Sequence, residues 1–139
     1  MSIATYLLLG LVGGGCLIAF ARRQRDGGRR VFGIGLIVVA LIYMGFALRS
    51  DPLSTWLLIE TGGVVLYGLF AVLGIKGSHW WLAAGWALHP VWDLALHYFS
   101  SGAAFTPAGY AIVCVSFDLL IAGYVAYAFS GKARPSWNA

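Results

Sequence analysis

The chain has 139 residues, of which 60% are hydrophobic and only 10% are charged, and its formal net charge is +4. Soluble domains usually carry about 25% charged residues, so this composition excludes an ordinary soluble domain and indicates an integral membrane protein. The few arginines are not interleaved with aromatic residues, which argues against a nucleic-acid-binding protein. A chain of this length is expected to form a single transmembrane domain, residues 1–139.

Five apolar runs follow one another along the chain. Each is close to the roughly 20 residues that an α-helix needs to cross the hydrocarbon core of a bilayer. The predicted spans are about 3–20, 31–48, 53–75, 79–99 and 110–130. The sequence therefore predicts an all-α membrane protein, a bundle of five transmembrane helices.

The first predicted span is rich in glycine, and Gly10 and Gly14 form a pair of small residues four positions apart. Such pairs allow two helices to approach closely within a membrane. The partner of this glycine-rich face is either another helix of the same chain, a second copy of the chain in a homo-oligomer, or a subunit of a larger membrane complex. The sequence leaves these alternatives open.

The basic residues predict the orientation of the bundle. Five arginines stand between the first and second spans, and one lysine, Lys76, stands between the third and fourth. Lys132 and Arg134 follow the fifth span, so only Arg49 falls on the opposite side. Basic loops remain on the cytoplasmic side of a membrane. We therefore expect a multi-pass protein of the cell inner (plasma) membrane, with the N-terminus outside and the C-terminus inside.

The fourth predicted span carries three ionisable residues at intervals of four, His89, Asp93 and His97. Residues at this spacing lie on one face of a helix, and Trp86 continues the same face. Pro90 lies within this stretch. Because proline lacks a backbone N–H and clashes with the preceding turn, it is expected to kink the helix or to open its hydrogen-bond ladder.

The third and fifth spans each contain one further acid, Glu60 and Asp118. At the rise of an α-helix, these two acids and Asp93 all lie roughly 9–12 Å below the outer boundary of the predicted bundle. We therefore expect a polar pocket that opens outwards, with His97 at its rim and His89 at its floor. Aromatic side chains are expected to shape this pocket, namely Trp86, Trp56, Tyr110 and Tyr43.

Ionised acids at this depth are unfavourable. An acid at a helix centre costs ~2.5–3.5 kcal/mol on insertion scales, so three unpaired acids would cost on the order of 9 kcal/mol. No lysine or arginine lies inside a predicted span. The charge can be relieved by protonation of the acids, by protonation of the neighbouring histidines, or by a bound cation.

Three classes of function agree with this pattern. The working hypothesis is an enzyme that acts on a membrane lipid or an isoprenoid-like substrate. It would use general acid–base catalysis, or a divalent zinc, manganese, iron or copper ion that activates water. The alternatives are a protein that binds or transports protons or metal ions, and a structural or accessory subunit whose polar residues join helices. The predicted metal ligands are His89, Asp93, His97, Glu60 and Asp118, and the predicted catalytic residues are Asp93, His89, Glu60 and Asp118.

Two segments carry a resemblance to known proteins, H-P-V-W-D-L-A-L-H-Y at 89–98 and C-V-S-F-D-L-L-I-A-G-Y at 114–124. Both resemble a family of small uncharacterised bacterial integral membrane proteins, and this resemblance covers most of the chain. It implies a membrane protein without implying a particular activity.

More distantly, the layout resembles the sterol isomerases related to emopamil-binding protein. In those enzymes a histidine and acids move a proton across a double bond, and a tryptophan stabilises the cationic intermediate. On this chain the resemblance implies a proton-transfer group formed by His89, Asp93 and Asp118, with Trp86 or Trp92 as the tryptophan. The chain departs from that pattern because it is shorter, because Asp93 stands where a glutamate is expected, and because Glu60 is additional.

Overall fold

The computed structural model describes residues 1–130, and all regular secondary structure in this part of the chain is helical. The α-helices are α1 (Ile3–Ala21), α2 (Arg29–Ala47), α3 (Leu53–Lys76), α4 (His79–Asp93) and α5 (Tyr110–Ala128). Helix α4 continues directly into a π-helical segment, Leu94–Tyr98, which is followed by a short 3-10 helix, Ser101–Ala104. The all-α prediction is confirmed. Lys132 and Arg134, two of the basic residues from which the orientation is predicted, lie outside the described residues.

Four of the helices, α1, α2, α3 and α5, are long and apolar enough to cross a membrane. Helix α4 alone has 15 residues, fewer than a span requires, because its α-helical hydrogen bonding ends at Asp93. The helix does not end at Pro90, which lies buried within it. The change in helical geometry comes instead four residues later, where the π-helical segment begins.

Helix α1 packs along α5 and scarcely touches α2, although α2 follows it in the chain. The glycine pair explains this close approach, since a Cβ atom on Gly10 would collide with the Ser116 hydroxyl and the Val113 carbonyl of α5. Gly14 likewise lies against Phe117. The Ser116 hydroxyl also donates a hydrogen bond of 2.7 Å to the Leu7 carbonyl. The glycine-rich face is therefore occupied by a helix of the same chain.

The two opposite ends of the bundle are held by different contacts. At the first end, the Arg29 side chain donates hydrogen bonds to the carbonyls of Gly74 and Gly77, which joins the start of α2 to the end of α3. The arginines between α1 and α2 and the residue Lys76 lie at this end, which we call the arginine-rich end. At the other end, the Trp56 ring packs edge-on against the Phe105 ring, with 4.8 Å between their centroids.

The buried apolar core fills the half of the bundle nearer the arginine-rich end. Its members in this half include Phe32, Leu36, Leu82, Trp86 and Ile121. The buried ionisable residues lie in the other half, beyond Trp86 along α4. This arrangement separates the apolar core, which we call the apolar plug, from a layer of polar residues, as the common depth of the acids predicts.

Candidate metal and acid–base site

His89 is the centre of a buried group of three ionisable side chains. Its Nδ1 atom lies 2.9 Å from Asp118 Oδ2 and 3.3 Å from Asp93 Oδ2. Asp93 is one helical turn along α4 from His89, whereas Asp118 is brought by the packing of α5 on α4. His89, Asp93 and Asp118 are all 0% exposed to solvent. We call these three residues the His–Asp–Asp group.

The three residues of this group could hold a metal ion. Each offers one ligand atom, and these atoms lie within 4.8 Å of one another. Two ligands bound to one tetrahedral zinc ion at ordinary bond lengths lie about 3.3 Å apart. The observed separations between His89 Nδ1 and the two carboxylates are of this size, so the three residues could supply three ligand atoms to one ion after small side-chain movements.

Several polar atoms of the His–Asp–Asp group have no hydrogen-bond partner. They are His89 Nε2, both carboxylate oxygens of Asp93, and Asp118 Oδ1. The contact between His89 and Asp93 is within ion-pair distance, but its geometry is not that of a hydrogen bond. Buried polar groups are nearly always paired in folded proteins, because an unpaired group loses its hydration without compensation. Such a concentration of unpaired atoms is typical of a binding or reactive site.

No basic side chain compensates the acids of this group. Within the described helices, the only lysine and arginine residues are Arg29, Arg30 and Lys76, which lie at helix ends. The Arg29 guanidinium donates its hydrogen bonds to the carbonyls at the end of α3. The charge of the acids must therefore be balanced by histidine, by protons or by a bound cation.

A second pair, His97 and Glu60, lies nearer the end of the bundle opposite the arginines. His97 Nε2 is 3.1 Å from Glu60 Oε1, and the other ring nitrogen, Nδ1, is 3.2 Å from the Thr106 hydroxyl. Thr106 also donates a 3.0 Å hydrogen bond to the Gly102 carbonyl. The geometry between His97 and Glu60 is again not that of a hydrogen bond, so His97 Nε2 and Glu60 Oε1 remain unpaired.

His97 lies in the π-helical segment. The Phe99 N–H donates to the Leu94 carbonyl, five residues earlier, with a separation of 2.9 Å. This wide turn changes the angle between successive side chains, and the His97 ring within it lies beside Glu60 of α3 and against the Tyr43 ring. Segments of π-helix are rare and occur frequently at functional sites.

Tyr43 links the two groups. Its ring stacks on the His97 ring, with centroids 4.1 Å apart and an angle of 28°, and its centroid is 6.0 Å from that of His89. The Tyr43 hydroxyl has only a weak partner, the Cys114 thiol at 3.9 Å. Tyr67 packs edge-on against His89 at 4.8 Å. It shares a helical face with Glu60 on α3 but was not among the predicted pocket residues.

The other predicted aromatic residues surround the site in different ways. Trp56 packs near His97, with 5.8 Å between the ring centroids, and Tyr110 packs edge-on against Tyr43 at 5.7 Å. Trp86 lies on the apolar side, where its Nε1–H donates a 3.1 Å hydrogen bond to the Phe32 carbonyl. All four predicted aromatic residues are therefore near the ionisable groups.

The structure differs from the sequence prediction in two respects. The five ionisable residues do not form one ligand set, because only His89, Asp93 and Asp118 converge, while His97 and Glu60 form their own pair. The pocket also does not open outwards, since His97 is only 3% exposed. A cap formed by residues 101–106 covers it, with Gly102 packed against His97 and Trp56.

Four apolar helices long enough to span a membrane, packed with a buried group of histidines and acids, indicate a membrane protein with a buried ionisable site. It belongs to a family of unknown function, DUF6010, whose family model matches residues 5–133. All of the ionisable residues described above lie within the matched residues. No curated protein and no solved structure matches the chain.

Proposed function

We propose that this protein is a membrane-embedded enzyme that acts on a lipid or an isoprenoid-like substrate, with the His–Asp–Asp group as its reactive centre. The observation that carries this proposal is the convergence of unpaired polar atoms from His89, Asp93 and Asp118 in a fully buried position. Purely structural polar residues in membrane helices satisfy one another by hydrogen bonds. These residues leave most of their hydrogen-bonding capacity unused.

The metal-dependent form of this proposal agrees with the charge of the site. Two ionised aspartates and a neutral histidine carry a charge of −2, which one divalent cation would neutralise. A mixed nitrogen and oxygen ligand set suits zinc, manganese or iron, with copper as a further candidate. Such an ion, when bound, would lower the pKa of a bound water molecule and so supply a nucleophile for a lipid ester or amide.

The metal-free form uses the same residues for general acid–base catalysis. Asp118, when ionised, accepts a hydrogen bond and so holds a proton on His89 Nδ1, which leaves His89 Nε2 free to exchange a proton with a substrate. The unpaired carboxylate of Asp93 provides a second acid or base one helical turn away. This arrangement would support proton transfer to or from a carbon–carbon double bond in an isoprenoid-like substrate.

The proposed topology places this centre inside a bilayer. Helix α4 and the π-helical segment together cover residues 79–98 and would form a fifth span of about 30 Å at α-helical rise. With the arginine-rich end in the cytoplasm, the N-terminus lies outside, the C-terminus inside, and the site in the outer half of the plasma membrane. A second copy or a complex partner would use the exposed outer face of α1, which includes Gly15 and Cys16.

The two other functional classes have less support. A proton or ion pathway would need polar groups on both sides of the site, but Trp86, Leu36 and Leu82 close the bundle between His89 and the arginine-rich end. A structural subunit would be expected to pair its buried polar atoms. The enzyme proposal accounts for both the apolar plug and the unpaired atoms.

The experiment that tests the proposal combines metal analysis with lipid analysis. Protein reconstituted in vesicles of a bacterial polar lipid extract, supplemented with isoprenoids, is analysed for bound zinc, manganese, iron and copper. The vesicle lipids are compared by mass spectrometry before and after incubation. We expect conversion of one lipid class by the unmodified protein and none by Asp93→Asn. His79→Gln, on the same helix but outside the site, is the matched control.

The outcomes separate the two chemical forms. Stoichiometric metal that is lost together with activity in Asp93→Asn supports the metal-dependent form, whereas conversion without bound metal supports the acid–base form. If the protein changes no lipid and Asp93→Asn folds and behaves like the unmodified protein, then the proposal is wrong.

A further inference from the structure

A long apolar groove runs between α1, α2 and α5, with a volume of about 660 Å³. It exists because α1 packs on α5 and leaves α2, and because Gly13 and Gly35 contribute no side chains to fill the space. Its remaining lining residues are Leu9, Leu17, Phe20, Val31, Ile34, Val38, Val39, Ile42, Trp86, Tyr110, Val113, Cys114 and Phe117.

The groove follows the direction of the helices. Along α2 its lining extends over residues 31–42, a distance of about 16 Å. One end, near Phe20 and Val31, lies at the arginine-rich end of the bundle, and the other end reaches Ile42 and Tyr110. Leu9 and Val38 are 50% and 46% exposed, so the groove opens sideways into the surroundings of the bundle. At this depth those surroundings are lipid chains.

The groove reaches the ionisable site at one end only. Tyr110 and Cys114 are its only residues with a polar side-chain atom apart from Trp86, and they lie at the end farther from the arginines. The Cys114 thiol is the weak partner of the Tyr43 hydroxyl, and the Tyr43 ring rests on His97. The Cys114 thiol therefore connects this end of the groove to Tyr43 and, through the Tyr43 ring, to His97.

We infer that this groove binds one hydrocarbon chain of a bilayer lipid. The reactive end of that lipid would face Tyr43, and its chain would extend towards the arginine-rich end. The inference rests on the proposed function for the identity of the reactive end, and on the groove itself for the chain. Its polar end lies beside a site that the cap over His97 covers from the other direction.

The chemistry of the lining favours a single lipid chain as the occupant of the groove. The apolar lining along the length of the groove, with polar atoms confined to one end, matches the chemistry of a lipid chain with a polar group at its end.

The test uses a phospholipid that carries a photoactivatable diazirine in one palmitoyl chain, added in trace amount to nanodiscs of phosphatidylethanolamine and phosphatidylglycerol. Crosslinked peptides are mapped by mass spectrometry. We expect the crosslinks to concentrate on residues 9–20, 31–42 and 113–117. Val38→Trp and, independently, Leu9→Trp fill the groove from exposed positions and should reduce these crosslinks several-fold. Val65→Trp, at a position that is 67% exposed on α3 and outside the groove, is the matched control.

Two outcomes overturn the inference. Equal labelling of the outer face of α3 and of the groove means that the lipid is only part of the surrounding bilayer. Absence of label from the groove, together with a dimer that Val38→Trp dissociates, assigns the groove to a second copy. The metal content and lipid conversion of the same samples are measured separately. If the groove is not crosslinked but metal binding or lipid conversion is observed, the inference about the groove is wrong and the proposed function stands. If the groove is crosslinked but neither metal nor conversion is found, the protein binds lipid and the proposed function is wrong.

Discussion

His89 and Asp118 are 29 positions apart in the chain, yet His89 Nδ1 lies 2.9 Å from Asp118 Oδ2 and so joins α4 to α5. Both side chains are fully buried. A histidine held at one ring nitrogen by a carboxylate has a fixed orientation, and this is how proteins commonly orient a histidine that binds metal or transfers protons. The contact therefore positions the free Nε2 atom for chemistry.

We predict that the metal, if present, binds to the His–Asp–Asp group and not to the outer pair. Asp118→Asn should lower the metal content of the purified protein by at least 10-fold, as expected for loss of a ligand or its close support. Glu60→Gln should leave the metal content unchanged. Elemental analysis of protein in nanodiscs, at equal protein concentration, measures both. Equal loss in the two variants would assign the ion to a site shared by all five residues.

The pair formed by His97 and Glu60 should be coupled more strongly than an ordinary contact between membrane helices. Polar contacts between membrane helices average about 0.6 kcal/mol, with a maximum near ~1.7 kcal/mol. A double-mutant cycle with Glu60→Gln and His97→Gln, measured as the free energy of unfolding in bicelles, should give a coupling energy above that maximum, because the two side chains lie within ion-pair distance in a buried position and each single variant removes the opposite charge from its partner. A coupling energy near the average would favour the structural interpretation.

A methyl group added at Gly10 should weaken the contact between α1 and α5, whereas one added at Gly15 should not. At Gly10 an added Cβ atom collides with Ser116 and the Val113 carbonyl, whereas at Gly15 nothing lies within 4 Å. Gly10→Ala should therefore lower the free energy of unfolding by ~1–3 kcal/mol. Gly15→Ala is the control and should change it by less than about 0.5 kcal/mol. Similar effects at both positions would mean that α1 does not pack on α5 through this face.

Thr106 should hold the cap over the outer pair. Thr106→Val preserves the shape of the side chain but removes the contact with His97 Nδ1 and the hydrogen bond to the Gly102 carbonyl. Hydrogen exchange of residues 101–106 should become on the order of 10-fold faster, which corresponds to about 1.4 kcal/mol. Thr61→Val removes a hydroxyl that bonds only within its own helix and is the control. Unchanged exchange in Thr106→Val would show that packing alone holds the cap.

The proposed topology predicts which loops face outwards. Ser101→Cys, in the cap segment, should react with a membrane-impermeant thiol reagent in intact cells. Arg25→Cys, in the arginine-rich loop, should react only after permeabilisation. Both substitutions are made with Cys16→Ser, because Cys16 is exposed on α1. Labelling of Arg25→Cys in intact cells would reverse the orientation.

The helices could be predicted from the sequence because long apolar runs bounded by charges, glycine or proline leave few alternatives in a membrane. The burial of Asp93, Glu60 and Asp118 in the bundle agrees with the common depth predicted for them. Their division into two groups could not be predicted, because it depends on how α3 and α5 pack against α4 and the π-helical segment. The π-helical segment has no sequence signal comparable to Pro90, which lies within the regular part of the helix.

The cap and the groove could not be predicted from the sequence, for a different reason. Thr106 is one polar residue in an uncharged loop, and its contact with His97 depends on how the 3-10 helix folds back. The groove exists because α1 packs on α5, whereas helices that are neighbours in sequence usually pack together. The glycine pair predicted a close contact for α1 but carried no information about which helix would supply it.

The π-helical segment changes how this part of the chain responds to a change of length. A π turn holds the extra residue that an α-helix of the same rise would lack. Deletion of one residue between 94 and 96 would therefore allow regular α-helical hydrogen bonding while the imidazole at position 97 keeps its place beside Glu60. The same deletion within the regular part of α4 has no extra residue to remove and would turn every later side chain by about 100° around the helix axis. A shorter chain is thus compatible with the outer pair at the π turn and incompatible with it in the preceding α-helix.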